Sequence, residues 1–226
     1  MSPSISYAIT ASTEEEELPR LLILLQKYTR DVDEIVVQFD NGSAPPSFIE
    51  NTRHEFKDVK IIHYSLDNHF GNFKNNLKEN CVKDYIFQID ADELPHKELL
   101  KALPEILEAN PETGLFHLPR INTVNGITDE HIRKWKWNLN EKGWVQWPDW
   151  QPRLFKNLPH IKWELAVHET VVNYGAGSFF PESEEFCLYH PKTIKRQEEQ
   201  NKFSSTILSG NGFEKLVKRR ALKQGG

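Results

Sequence analysis

The sequence predicts an α/β protein with a mostly parallel sheet flanked by helices, and two observations carry this prediction. In the first half, short runs of β-branched and aromatic residues alternate with stretches whose apolar residues recur at helical spacing. Three of those runs end in polar residues, at Thr10, Asp40 and Asp90. Right-handed crossovers would place these strand ends at one edge of the sheet, where ligands bind in such folds. We therefore expect a ligand crevice there.

The elements of the first half can be assigned in order. A strand over residues 5–10 leads into a helix that Ser12 or Thr13 should cap, with Glu16 completing a capping box. Leucines then follow at helical spacing, which is typical of a helix packed on a sheet. The remaining elements are a strand at 34–39, a helix starting at Pro45 and Pro46, a strand at 59–64, a short helix at 72–80 and a strand at 85–90.

The last of these strands organises the rest of the chain, because it reads as buried on both faces and then ends in acid. Asp90 and Asp92 are two residues apart, so in extended backbone they would point to the same side. Two carboxylates on one side repel each other unless a cation or a hydroxyl lies between them. The alternative is an acidic turn, which also includes Glu93, that caps the helix starting near Lys97.

The second half is less regular. A helix is predicted at 97–110 and a strand at 114–118, followed by short strands at 151–155, 167–172 and 186–190 and a weakly amphipathic helix at 193–208. All six tryptophans fall between positions 135 and 163. They suit either core and loop packing or a wall on which sugar rings stack, since an aromatic face matches the C–H face of a pyranose.

Composition limits the possible function classes. A chain of 226 residues can bury a proper core. Its formal net charge of −5 argues against nonspecific nucleic-acid binding, although basic residues concentrate over 215–220. No apolar run approaches the roughly 20 residues of a membrane span. The two cysteines have no metal-type cysteine partner nearby, which favours a reducing cytoplasm.

Several other side chains are candidates for chemistry. His190 ends a predicted strand, so it is either a metal ligand beside the acids or simply packed. Arg153 suits either an ion pair with the acids or a contact to a diphosphate. His168 and Glu169 are neighbours, and in alternating geometry only one of them can face a cleft.

Five short motifs together resemble family 2 glycosyltransferases of the Rossmann-like GT-A fold, and specifically the branch of bacterial lipopolysaccharide-core sugar transferases. The order and spacing match over residues 5–192. The motifs are Asp40-Asn41-Gly42-Ser43, Lys74-Asn75, the DxD-type Asp90-Ala91-Asp92-Glu93, the segment 148–155, and Val167-His168-Glu169. The sequence departs from the family pattern after the first strand, after Gly42-Ser43, and at Lys74, where the family has Arg.

The resemblance implies a role for each matching residue. Residues that would bind the nucleotide-sugar donor are Thr10, Asp40, Lys74, Asn75, Asp90 and Arg153. Asp92, with Asp90 and His190, would hold Mn²⁺ or Mg²⁺ at the diphosphate. Glu169 matches the catalytic base, with Asp149 as the alternative, and the acceptor side would include Trp147, Asp149 and Trp150.

The expected activity is inverting, metal-dependent transfer of a hexosyl group from a nucleotide-diphospho-sugar, with UDP-sugars favoured, to a hydroxyl of a glycan or glycolipid. The alternatives are a sugar-1-phosphate nucleotidyltransferase and a non-catalytic carbohydrate-binding relative. The segment 11–17 lacks the glycine-rich basic loop typical of the first alternative. The expected organisation is a domain over 1–192, divided into a nucleotide-sugar half (1–95) and an acceptor half (96–192), with a helical extension over 193–226. The expected compartment is the cytoplasm, with peripheral association at a membrane face left open.

Overall fold

A computed structural model describes residues 2–210 of the chain. The basic segment at 215–220 lies outside the described residues. Within them, no helix is both long and apolar enough to cross a membrane. Both cysteines are buried free thiols.

The first half forms the parallel part of the sheet, in the strand order β3-β2-β1-β4. Helices alternate with these strands along the chain, so the predicted βα alternation is confirmed. The elements are β1 (Ile5–Ala11), α1 (Glu17–Tyr28), β2 (Glu34–Asp40), α2 (Pro46–Glu55), β3 (Lys60–Tyr64), α3 (Phe70–Glu79) and β4 (Tyr85–Asp90).

The core lies on both faces of this sheet. In β4, Tyr85, Phe87 and Ile89 pack into one apolar cluster, whereas Ile86 packs into a second cluster on the opposite face. The four fully buried leucines of α1 belong to the first cluster. Burying each such side chain contributes about 2 kcal/mol, so α1 is held mainly by its apolar stripe. Burial of β4 on both faces agrees with the prediction.

The predicted capping box at the start of α1 is wrong. The helix begins at Glu17, and the preceding Glu16 makes no capping hydrogen bond with its side chain. The carboxylate of Glu14 instead accepts a hydrogen bond from the backbone N–H of Ser12 at 2.6 Å and one from Arg196 at 2.7 Å. Glu14 is therefore bound within the segment before α1 and by Arg196, a contact that the local pattern does not contain.

The second half adds antiparallel strands to the same sheet. β7 (Val145–Lys156) lies between β4 and β6 (Thr113–Asn125) and is antiparallel to both. β11 (Leu188–Thr193) runs parallel to β6 on its other side. β6 and β7 are much longer than the predicted strands at 114–118 and 151–155, because each pairs along most of its length.

The remaining elements surround this extension of the sheet. They are β5 (Leu94–Pro95), α4 (Lys97–Ala109), α5 (Asp129–Trp135), β8 (Lys162–Glu164), β9 (Thr170–Val172), β10 (Ala176–Phe179), a 3-10 turn (Glu184–Phe186) and α6 (Ile194–Gly210). His96 caps α4 by accepting from the backbone N–H of Glu98. The acids at 90–93 therefore do not cap α4. α5 and β10 were not predicted, and residues 165–169 form a loop rather than a strand.

Candidate active site

A cavity of about 1050 Å³ opens at the carboxyl ends of β1, β2 and β4. Its wall is completed by β7, by the loop before β9, by β11 and by α6. Residues predicted for the site that line it are Thr10, Asp40, Lys74, Asp90, Asp92, Asp149, Arg153, Glu169 and His190. The predicted crevice at the polar strand ends is therefore present in the structure.

Asp90 ends β4 and has a partner at each of its carboxylate oxygens. Oδ1 accepts a hydrogen bond from Thr10 Oγ1 at 2.8 Å and lies 3.4 Å from Lys74 Nζ, while Oδ2 accepts from Arg153 at 2.5 Å. Burial opposes ionisation, but the charges of Arg153 and Lys74 outweigh it and hold the pKa of Asp90 well below its ordinary value. Asp90 is thus ionised, and two neighbouring cations already balance its negative charge.

Glu93, in the turn after β4, completes this arrangement. Its side chain is fully buried and forms ion pairs with Arg153 at 2.6 Å and Arg120 at 2.9 Å. Its other oxygen accepts the backbone N–H of Asp90 at 3.1 Å. Arg153 therefore bridges two acids, as one of its two predicted interpretations requires, and it is only 3% exposed. The pairs fix the turn after β4.

Asp92 and His190 face each other at the edge of the cavity, with 3.4 Å between Oδ2 and Nε2. The amide of Asn122 donates to Asp149, so its oxygen Oδ1 must face His190 Nδ1, 2.7 Å away. Nδ1 therefore carries the imidazole proton and donates a hydrogen bond to Asn122 Oδ1. Burial is the main cause that lowers the pKa of His190, which leaves the ring neutral and Nε2 unprotonated.

In this tautomer Asp92 Oδ2 and His190 Nε2 are both acceptors, and a metal ion between them would take over the charge balance that Arg196, 3.3 Å from the same Oδ2, now provides. Two ligands about 2.1 Å from one metal and at right angles are about 3 Å apart, which is close to the separation of Asp92 and His190. The residues fit a divalent cation with part of its coordination supplied by a ligand. Among the described residues, however, no three acidic, histidine or cysteine side chains form a complete metal site. Asp90, the third predicted ligand, has its oxygens engaged by Thr10, Lys74 and Arg153, and its place in the metal site stays a prediction.

Glu169 lies in the loop between β8 and β9, and its Oε1 accepts a hydrogen bond from Lys74 at 2.7 Å. Burial raises its pKa, but the charge and hydrogen bond of Lys74 outweigh this and lower it below the ordinary value. The start of α3 anchors the loop, since the backbone N–H of Gly71 donates to Leu165 O at 3.0 Å. A Cβ at position 71 would lie 2.6 Å from that oxygen, so this contact requires glycine.

Asp149, on β7, is held more completely than Glu169. Its Oδ2 accepts two hydrogen bonds from Arg120, at 2.9 and 2.7 Å, and one from Asn122 at 2.8 Å. Its Oδ1 accepts from Gln151, also at 2.8 Å. Burial favours the neutral form of Asp149, but Arg120 and these hydrogen bonds outweigh it and lower the pKa. Sequence analysis did not identify Arg120, whose role depends on its position opposite Asp149 in the β6–β7 ladder.

The family model described as glycosyl transferase family 2 matches residues 6–170, which is most of the 226-residue chain. The chain belongs to glycosyl transferase family 2. As a member of this family it is a glycosyltransferase that uses a nucleotide-sugar donor and an acceptor. The mostly parallel sheet with flanking helices is consistent with the GT-A fold that the sequence predicted. The match includes Asp90, Asp92 and Glu169 but ends before His190 and α6.

In this glycosyltransferase, α6 covers one side of the cavity. Arg196 lies 3.3 Å from Asp92 Oδ2 and also pairs with Glu14 at 2.7 Å and Glu17 at 3.2 Å. Lys192, at the end of β11, donates to Gln200 of α6 at 2.5 Å. Neither basic residue was predicted, because Lys192 lies beyond the strand predicted at 186–190 and α6, which carries Arg196, is only weakly amphipathic. Two cations that follow His190 by two and six positions were the available signal.

Three predicted residues of the glycosyltransferase lie elsewhere. Asn75 uses both atoms of its side-chain amide on the backbone of Trp163, each at 2.8 Å, so it anchors β8 to α3 and does not line the cavity. The ring of Trp150 packs edge-on against Phe179, with 4.9 Å between the ring centroids, because alternation along β7 turns it away from Asp149. Trp147 lines a second, separate cavity.

Proposed function

We propose that the protein transfers a hexosyl group from a nucleotide-diphospho-sugar, with UDP-sugars favoured, to a hydroxyl of a glycan or glycolipid, with inversion at the anomeric carbon. The observation that carries this proposal is the pair of opposed acceptors, Asp92 Oδ2 and His190 Nε2, at the edge of a large cavity in a family 2 glycosyltransferase. The resemblance of the motifs further supports a place in the lipopolysaccharide-core-type branch, and the two free cysteines favour a cytoplasmic location.

Asp92 and His190 are the residues that would hold Mn²⁺ or Mg²⁺. When bound, the ion would supply positive charge to the diphosphate leaving group. Lys192 and Arg196 line or border the same region, and their cationic side chains can neutralise phosphate oxygens that the ion does not reach. Arg196 would have to exchange its contact with Asp92 for one with the donor.

The donor side of the cavity, defined here by Thr10, Asp40, Asp90 and Asp92, suits the nucleotide. Asp40 accepts hydrogen bonds from the backbone N–H groups of Gly42 and Leu66, at 3.2 and 3.0 Å, and so shapes the floor on which a base or ribose would lie. Three residues predicted as donor contacts also have partners within the protein. Lys74 and Arg153 form ion pairs, and Asn75 forms hydrogen bonds with the backbone of Trp163. Lys74 and Arg153 both line the cavity, and we propose that Lys74 in particular also faces the donor, because it lies between Asp90 and Glu169.

We propose Glu169 as the general base. It is ionised at neutral pH, and its carboxylate is held at Oε1 by the single ion pair with Lys74. Asp149 has both oxygens engaged by four hydrogen bonds, so it is poorly placed to accept a further proton. The acceptor hydroxyl would lose its proton to Glu169 as its oxygen attacks the anomeric carbon from the face opposite the diphosphate. A single displacement of this kind inverts the configuration.

The two halves of the domain would bind different substrates. Residues 1–95 would bind the nucleotide sugar and residues 96–192 the acceptor, with the helical extension from 193 covering the donor. Acceptor binding involves β7, whose Asp149 and Gln151 line the cavity. We call these two residues the acceptor side.

A thermal-shift panel tests this proposal. Uridine, guanosine and thymidine diphosphates, each with and without Mn²⁺, should raise the melting temperature only if the folded protein binds them, and we expect the largest rise for UDP with Mn²⁺. Asp92→Asn should abolish the Mn²⁺-dependent part and reduce sugar transfer at least about 100-fold. Asp58→Asn, at an exposed acid remote from the cavity, is the matched control. Unchanged transfer by Asp92→Asn in the presence of metal would refute the metal role.

A further inference from the structure

A second cavity, of about 620 Å³, lies outside the active site and shares no lining residue with it among the described residues. It is formed between the turn that precedes β7 and the segment around the 3-10 turn. The lining residues are Leu139, Asn140, Glu141, Lys142, Trp144, Trp147, Glu182 and Glu184. Two tryptophans, three glutamates and one asparagine among these residues make this an amphipathic cavity.

The aromatic wall is fixed by its backbone. The rings of Trp144 and Trp147 are 4.9 Å apart between centroids and inclined at 65°. The side-chain oxygen of Asn140 accepts the backbone N–H groups of Lys142 at 3.0 Å and Trp144 at 2.9 Å, which holds the turn closed. Gly143 has a φ of 74° in this turn, a conformation that favours glycine. Trp144 is thus held in place by hydrogen bonds within its own turn, and its ring packs against that of Trp147 on β7.

The opposite wall carries hydrogen-bonding groups. Glu184 accepts from the Tyr189 hydroxyl at 3.0 Å and from Lys142 at 3.3 Å. The Lys142 ammonium also lies 4.4 Å from the ring centroid of Trp144, so it connects the two walls. Three carboxylates, at Glu141, Glu182 and Glu184, face one ammonium, so the cavity carries net negative charge. An anionic ligand is therefore disfavoured, whereas hydroxyl groups find acceptors.

The cavity lies beside the acceptor side of the active site. Trp147 and Asp149 are two residues apart on β7, which places their Cα atoms at most about 7 Å apart. Asp149 lines the active-site cavity and Trp147 lines the second one. A ligand of more than one sugar residue could therefore reach from one cavity into the other along the strand.

We propose that this second cavity binds an uncharged pyranose residue of the acceptor glycan, next to the residue that receives the new sugar. The tryptophan rings would cover the C–H face of the pyranose, and the glutamates would accept hydrogen bonds from its hydroxyls. The inference rests on the proposed function, since it assumes a glycan acceptor in the active site. It implies that the enzyme prefers an acceptor of at least two residues over a monosaccharide.

Binding to a glycan array tests the proposal without catalysis, with the full chain and with neither donor nor metal present. The array carries neutral, amino and uronic-acid oligosaccharides of one to four residues. We expect retention on neutral oligosaccharides but not on the uronic acids, and about tenfold weaker retention for Trp144→Ala. Trp135→Ala is the matched control: its ring lies 4.7 Å from that of Trp137 in a similar pair that lines neither cavity.

A second variant guards against loss of folding. Glu182→Lys changes an exposed residue and should shift retention from neutral towards uronic-acid glycans by reversing charge at the cavity. Donor binding by thermal shift, measured on the same samples, reports on the proposed function separately. The proposal is overturned if no neutral glycan depends on Trp144, if Trp135→Ala gives the same loss, or if Glu182→Lys leaves the preference unchanged while UDP still stabilises the protein.

Discussion

The donor side of the cavity is built from the ends of parallel strands, whereas the acceptor side is built from one long antiparallel strand and the loops around it. On the donor side the main chain itself brings Thr10, Asp40 and Asp90 together, because neighbouring parallel strands end at the same edge. On the acceptor side, Asp149 and Gln151 reach the cavity only through the register of β7 against β6.

The two halves of the chain bring opposite charges to the site, and each balances charges of the other. The end of β4 and the turn after it supply three acids, and the later part of the chain supplies their partners: Arg153 for Asp90 and Glu93, Arg120 for Glu93, and Arg196 for Asp92. Lys74 makes the reverse connection to Glu169. The halves thus share one buried network of charges, so they divide the chemistry without being electrostatically independent.

The strongest test of this shared network is Glu93→Gln. The change leaves Arg153, which is 3% exposed, and Arg120 with too little negative charge, so we expect the free energy of unfolding to fall by about 3 kcal/mol. Urea denaturation followed by circular dichroism measures it. Glu16→Gln is the control, because its ion pair with Arg20 is exposed and should contribute less than about 1 kcal/mol. Equal effects of the two variants would contradict a shared buried network.

Glu169→Gln should lower kcat by about 100-fold or more, since the glutamine cannot accept the proton of the acceptor hydroxyl. The dissociation constant of the donor should change little. Asp149→Asn should lower kcat less than about tenfold, because this residue holds Arg120 and Gln151 rather than a proton. Steady-state kinetics with saturating donor rank the two variants. The reverse ranking would move the base from the loop before β9 to β7.

Lys74→Met connects the two sides through pH. In the native protein Lys74 outweighs burial and lowers the pKa of Glu169, so the base stays ionised when the pH falls below the ordinary value for glutamate. Without Lys74, burial and the charge of Asp90 remain, and both raise the pKa. The acidic limb of the kcat/KM profile should therefore move to higher pH. Lys78→Met, one helical turn later on α3 and also buried, should leave the limb in place.

The sequence predicts more of the donor side than of the acceptor side, because the donor side follows from local pattern and the acceptor side depends on strand register. Strand burial and the meeting of polar strand ends are periodic features, so the parallel strands and the donor-side residues follow from local pattern. The capping box failed because α1 begins at Glu17 and Glu16 makes no capping hydrogen bond, while the neighbouring Glu14 binds Arg196, which is 182 positions away. Lys74 and Arg153 were identified, but their ion pairs depend on tertiary contacts that spacing alone does not contain.

On the acceptor side the register of β6 and β7 decides which residues face the cavity. The sequence predicted only 114–118 and 151–155 as strands, whereas both strands run for at least twelve residues and contain register shifts. Pattern analysis therefore could not separate Asp149, which faces the cavity, from Trp150, which does not. Tryptophan content predicted an aromatic surface but not that its rings would divide between a cavity and packing contacts.

Trp150→Phe gives the smallest expected effect and tests that division directly. Trp150 contacts Phe179 edge-on, and phenylalanine keeps most of this contact, so we expect a loss of about 1 kcal/mol or less in unfolding free energy. The KM for the acceptor should not change. Gln151→Ala, at the next position and on the cavity face, should raise that KM because Asp149 loses a hydrogen bond and the cavity loses a polar group. A larger rise in KM for Trp150→Phe would place the Trp150 ring in the acceptor site, against the alternation of β7.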